Sequence, residues 1–201
     1  PILLALLLPQ TTRGEKTFAE RLGWQPKDVV VILHVDDAGM SHSSNLGAIE
    51  SVERGVATSW SVMMPCPWVP EIAKYLKQHP DVDSGLHLTL TSEWSLYRWP
   101  PLAGKPKVPG LVDGEGCMWR SVEQTATHAT PDEIETEIRA QVERAELLGI
   151  PITHLDSHMG TLFARPEYFE RWAKVGIEKG IPILAIGGQA TYAQKENPGV
   201  A

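Results

Sequence analysis

The chain has 201 residues, which at about 100 to 200 residues per domain gives one domain with a sizeable core and excludes two full ones. Its 42% hydrophobic and 21% charged residues match globular proteins and exclude disordered or collagen-like ones. Lys and Arg number 18 against 25 Asp and Glu, a formal charge of −7, so no basic field exists to gather nucleic acid or anionic lipid.

Residues 2–8, ILLALLL, are an apolar run without a polar face and too short to cross a bilayer. They read as the residue of an export signal, with a polar linker to residue 27, and predict a periplasmic or secreted protein with no stable membrane span. A buried first helix is the alternative.

From residue 28 the pattern alternates. DVVVILHV at 28–35 is a continuous β-branched run, the mark of a strand covered on both faces. A helix over 41–54 follows, opened by Ser and Asn and closed by Gly55. Residues 56–64 predict a second strand, 68–78 a second helix and 82–90 a third strand. The clearest helix spans 131–148: Thr130 caps it, Pro131 opens it, and Ile134, Ile138, Val142, Ala145 and Leu148 recur on one face before Gly149. A fourth strand at 151–155, a helix at 166–178 and a fifth strand at 181–186 complete the series. Strands alternating with helices imply a parallel sheet or barrel, here a domain over 28–201. Only a polar tail follows the fifth strand, which reads as a fold that stops before it is finished.

Residues 92–130 interrupt the alternation with Pro100, Pro101, Pro106 and Pro109 and the aromatics Trp94, Tyr97, Trp99 and Trp119. An insertion of this length is usually functional, and it leaves from the carboxyl end of the third strand, where such folds bind ligands. Its aromatics are candidate faces for a sugar ring or, equally, caps on the core.

Polar residues that end apolar strands are informative, because burying an unpaired charge is costly. The first strand ends in His34-Val35-Asp36-Asp37, the third carries Gly85-Leu86-His87, and the fourth ends in His154-Leu155-Asp156-Ser157-His158. On parallel strands these clusters share one edge, where a carboxylate and two imidazoles make an open ligand set for a divalent ion. His154 and Asp156 are ligands themselves or a pair that orients the true ligand. His79 and His128 read as exposed. Cys66 and Cys117 lack metal or redox spacing, leaving a single disulfide open.

HVDDAGMSHSSNLGAIE at 34–50, GLHLTLT at 85–91 and THLDSHMGTLF at 153–163 resemble, in that order, the three motifs of the YdjC-like carbohydrate deacetylases, which include chitooligosaccharide deacetylases. Counting the helix with Glu137 and Gln141, the resemblance covers about residues 29 to 185. It implies an incomplete or distorted TIM-like (β/α) barrel that removes N-acetyl groups from amino sugars or oligosaccharides with one divalent metal ion, Mg²⁺ or Zn²⁺. It makes Asp37, His87 and His158 the metal ligands and Asp36 the general base. The chain departs from the family pattern at Gly160, where many members carry a second histidine, and members are commonly longer. An exported carbohydrate-binding protein of the same fold without activity, and a metal-dependent hydrolase of another ester or amide, are the rival readings.

Overall fold

The structure, a computed structural model, describes Lys16 and residues 18–185. The expected signal at 2–8 lies outside the described residues. The chain divides into units 1–32 and 33–201. The described part of the first holds a one-turn helix, α1 (Phe18–Arg21), and the apolar stretch that follows it.

The second unit alternates β1 (His34–Ala38), α2 (His42–Glu53), β2 (Ser59–Val62), α3 (Val69–Gln78) and β3 (Ser84–Leu88). After the insertion, which contains α4 (Val122–His128), come α5 (Pro131–Leu148), β4 (Leu155–Ser157) and α6 (Pro166–Lys179). The sheet is four-stranded and parallel, in the order β1-β2-β3-β4, and open among the described residues. Helix ends follow local chemistry. Ser41 accepts the Ser44 N–H at the start of α2, Thr130 and Glu133 form a capping box on α5, and Gly149 closes α5 at φ 68°.

Strand alternation divides the sheet into two chemical faces. Trp60, Val62, Leu86, Leu88 and Leu155 are fully buried in the core with Ile72 and Leu76 of α3 and Ile134, Ile138 and Val142 of α5. Each such burial stabilises by about 1.5–3 kcal/mol. The intervening positions, His34, Asp36, Ser59, Ser61, Gly85, His87 and Asp156, give the other face its polar character.

Three strand expectations need correction. Residues 29–33 form no strand, and their side chains are exposed; pairing begins only at His34↔Ser59. Among the described residues β1 ends the strand order and has one ladder partner, and an edge strand does not give an apolar run the cover that a central one does. The fourth strand lies at Leu155–Ser157, displaced toward its polar end, after Pro151 has removed a backbone donor. The fifth is a single parallel pairing of Ile183 with Leu155, and residue 186 lies outside the described residues.

The insertion is packed. Glu137 on α5 accepts the Leu102 and Ala103 N–H groups at 3.0 and 2.9 Å, and Glu133 accepts that of Gly110. Arg98, hardly exposed, pairs with Asp113 at 2.7 Å and with Glu115, which closes the insertion on itself. Cys66 and Cys117 are free thiols.

Candidate metal centre

A bulge in β1 builds the site. The register passes from Val35↔Trp60 to Ala38↔Val62, so two residues, Asp36 and Asp37, stand opposite Ser61 alone. Asp37 takes up the extra length at φ 62°, a left-handed conformation that costs a residue with a Cβ about 1–2 kcal/mol and that Asp tolerates better than most. On a regular strand the adjacent aspartates would face opposite ways; the bulge lets both reach one face. Gly39 (φ 88°) then passes so close to α3 that a Cβ would lie 2.8 Å from Val69 Cγ2.

Asp37 Oδ1 lies 3.4 Å from His87 Nε2 and 3.3 Å from His158 Nδ1. Ligand atoms held tetrahedrally at about 2.0–2.1 Å from one ion stand about 3.3 Å apart, so both separations match an edge of such a polyhedron. Asp37 Oδ1 is buried and has no hydrogen-bond partner among the described residues, although two imidazoles face it. A carboxylate oxygen facing two ring nitrogens at these separations is a set of atoms that a divalent cation can share once the imidazoles are neutral. The donor set fits a divalent ion.

Each imidazole is fixed from its far side. His87 Nδ1 meets Asp156 Oδ1 at 2.6 Å, which leaves Nε2 as the ligand atom. His158 Nε2 meets Glu93 Oε2 at 3.2 Å, which leaves Nδ1. Asp156, nearly buried, also faces His34 Nε2 at 3.1 Å. Burial would raise the Asp156 carboxyl, but hydrogen bonds from His34 and His87 hold it well below the usual carboxylate range. Burial pushes His158 down, yet Asp37 and Glu93 outweigh it and lift the imidazole to about 9. The facing His158 imidazole is the main reason the Asp37 carboxyl is lowered.

The other anticipated residues are divided. Asp36 is 59% exposed, with Oδ1 3.4 Å from His34 Nε2, and its carboxylate lies within 4.8 Å of ligand atoms of His87 and Asp156. His154 is on the same sheet face, its Nε2 3.9 Å from Asp156 Oδ2, and burial pushes its pKa down. Trp94 is half-exposed and adjoins Glu93. Trp99 is 1% exposed, packed with Met63, Cys66 and Met118, and its indole donates to the Thr91 carbonyl at 2.8 Å, so it is a core residue rather than an open sugar platform. Trp119 donates to the Gly110 carbonyl at 2.7 Å and stacks on exposed His128 at 4.1 Å. The Tyr97 hydroxyl donates to the Met40 carbonyl. Sequence reasoning missed Glu93; its only signal is a carboxylate two residues beyond the GLHLTLT strand end.

The chain is similar to known proteins over most of its length. A match to the family described as YdjC-like protein covers residues 30–199. A carbohydrate deacetylase of Brevibacillus brevis is 34% identical over 156 residues, 76% of this chain and 58% of that protein. A carbohydrate deacetylase of Thermus thermophilus is 36% identical over 78% of this chain and 53% of its own length. A chitooligosaccharide deacetylase of Proteus mirabilis is 31% identical over 84% of this chain and 62% of its own length. The chain thus spans roughly half to three fifths of these curated relatives. A solved structure from Enterococcus faecalis V583, provisionally described as a cellobiose-phosphate cleavage protein, superposes with a TM-score of 0.71 at 23% identity, over 84% of this chain and 64% of that one, and shares the fold. With the three motifs joined at one sheet edge and the family match spanning 30–199, the chain belongs to the YdjC-like protein family.

Proposed function

We propose that this chain carries the hydrolytic centre of a metal-dependent carbohydrate deacetylase, which removes an N-acetyl group from an amino sugar or oligosaccharide. The observation that carries this reading is the convergence of Asp37 Oδ1, His87 Nε2 and His158 Nδ1, with the carboxylate oxygen buried between the two imidazoles. A divalent ion held there would make a water acidic at neutral pH and polarise the acetyl carbonyl. Two imidazoles and a carboxylate suit Zn²⁺ better than Mg²⁺ on ligand softness.

The chain's own residues divide the remaining work. Asp36, exposed beside the centre, takes the proton from the attacking water and returns it to the departing amine. Asp156 and Glu93 keep the ligand nitrogens of His87 and His158 turned inward. Trp94 offers its open face to the sugar. The polar face of the sheet is what the interior wall of a (β/α) barrel would present, which supports reading the sheet as part of one. An export route for the protein rests on the ILLALLL run alone.

The test is acetate release from N-acetylated chitooligosaccharides with Zn²⁺, Mg²⁺, Mn²⁺ or Co²⁺ added to metal-free protein. Release that depends on the ion and disappears in His158→Gln supports the reading. No release with any ion, or equal release in the variant, overturns it.

A further inference from the structure

The polar face of the sheet holds a second group of ligand-type atoms that the deacetylase reading leaves without a task. His34 Nε2, His154 Nε2 and one Asp156 oxygen lie within 4.8 Å of one another. Asp156 presents Oδ1 to His87 and Oδ2 to this group, 3.1 Å from His34 Nε2 and 3.9 Å from His154 Nε2.

The hydrogen bonds around His154 fix its tautomer. The Thr153 hydroxyl donates its single proton to Asp83. Thr153 Oγ1, 2.9 Å from His154 Nδ1, can therefore only accept from that nitrogen, which places the imidazole proton on Nδ1. Nε2 of the neutral ring is then a bare lone pair, buried, without a hydrogen-bond partner among the described residues, and facing a carboxylate oxygen. Two acceptors buried against each other repel unless something positive stands between them. His34 differs: its Nδ1 lies 2.9 Å from Ser59 Oγ, and its Nε2 is hydrogen-bonded to Asp156 Oδ2 at 3.1 Å, a proton that an ion bound there would replace.

The backbone is shaped for this ring. A Cβ at Gly85 would lie 2.3 Å from His154 Nε2, so only glycine on β3 lets the imidazole lie across the strand beside Asp156. His34 Nε2 is also 3.1 Å from Ser61 Oγ, a hydroxyl able to hold a water at a remaining coordination position.

We propose that His34, His154 and Asp156 form a second divalent-cation site, suited to Zn²⁺ or a similar borderline first-row ion and joined to the Asp37–His87–His158 centre through the carboxylate of Asp156. Two imidazoles and one carboxylate, each ring steadied through its other nitrogen, are the ligands and support such ions use. The site does not depend on the deacetylase reading, since it needs neither Asp37 nor His158.

Metal-free full-length protein would be titrated with Zn²⁺ in a non-coordinating buffer, and bound zinc counted after gel filtration. The wild type is expected to hold about two ions per chain, and His34→Gln, His154→Gln and His158→Gln about one each. If one histidine variant fails to fold by circular dichroism, the other member of the His34/His154 pair carries the same test. One ion in the wild type, retained in His34→Gln and His154→Gln and lost in His158→Gln, overturns the second site and leaves the first standing. One ion retained in His158→Gln and lost in His154→Gln supports the second site and removes the basis of the deacetylase reading. No bound zinc in the wild type overturns both.

Discussion

His87 and Asp156 are register partners across β3 and β4 and meet at 2.6 Å, Nδ1 against Oδ1. The parallel ladder itself thus decides which nitrogen His87 presents to the centre. Asp156→Asn replaces one carboxylate oxygen with a donor and loosens that choice. Zinc affinity at the Asp37–His87–His158 centre should fall about 10–100-fold, the usual effect of losing a partner that orients a ligand. Isothermal titration measures it. Unchanged affinity would mean that packing alone orients His87.

Glu93 should act on His158 in the same way, and pH makes the effect visible. With the metal-free imidazole lifted to about 9, His158 is protonated at pH 7, and an ion must displace that proton. Zinc binding at pH 7 should release about one proton per ion from this ligand, and the release should fade as pH rises through 9. Glu93→Gln removes one of the two carboxylates that hold the proton, so its release should fade at lower pH. Calorimetry in buffers of different ionisation enthalpy reads both curves. Coincident curves would remove Glu93 from the account.

The two aspartates of the bulge should separate. Asn tolerates the left-handed conformation of Asp37, so Asp37→Asn tests the ligand and not the backbone. It should lose zinc affinity, whereas Asp36→Asn should keep the ion and lose about 10²–10⁴ in rate. Metal content and acetate release on the same preparations decide. Loss of the ion in Asp36→Asn with retention in Asp37→Asn would exchange the roles.

The insertion's tryptophans should part by exposure. Trp94→Ala should raise KM for an oligosaccharide more than for a minimal acetamide and leave stability unchanged, since one face is open. Trp99→Ala should instead destabilise by about 3–5 kcal/mol in urea unfolding, because its ring fills a closed cluster. Equal KM shifts on both substrates would deny Trp94 a part in sugar binding.

Legibility followed the range of the interactions concerned. Helix α5 could be read from Thr130, Pro131, its apolar face and Gly149, all local signals. The parallel order of the strands, and the sharing of one edge by the three polar clusters, follow from alternation, whereas the bounds of the first, fourth and fifth strands do not. Residues 29–33 misled because apolar character reports a wish to be covered and carries no information on whether a ladder partner exists. The bulge at Asp36-Asp37 is a relation between β1 and β2, absent from either strand alone. Glu93 and the passage of His154 over Gly85 are contacts made far along the chain and leave no periodic trace.

The most direct measurement is anomalous diffraction at the zinc edge from crystals grown with Zn²⁺. The account predicts a peak about 2.0–2.2 Å from Asp37 Oδ1, His87 Nε2 and His158 Nδ1 together. No peak between these three atoms, or one that His87 meets through Nδ1 with its bond to Asp156 broken, would contradict it.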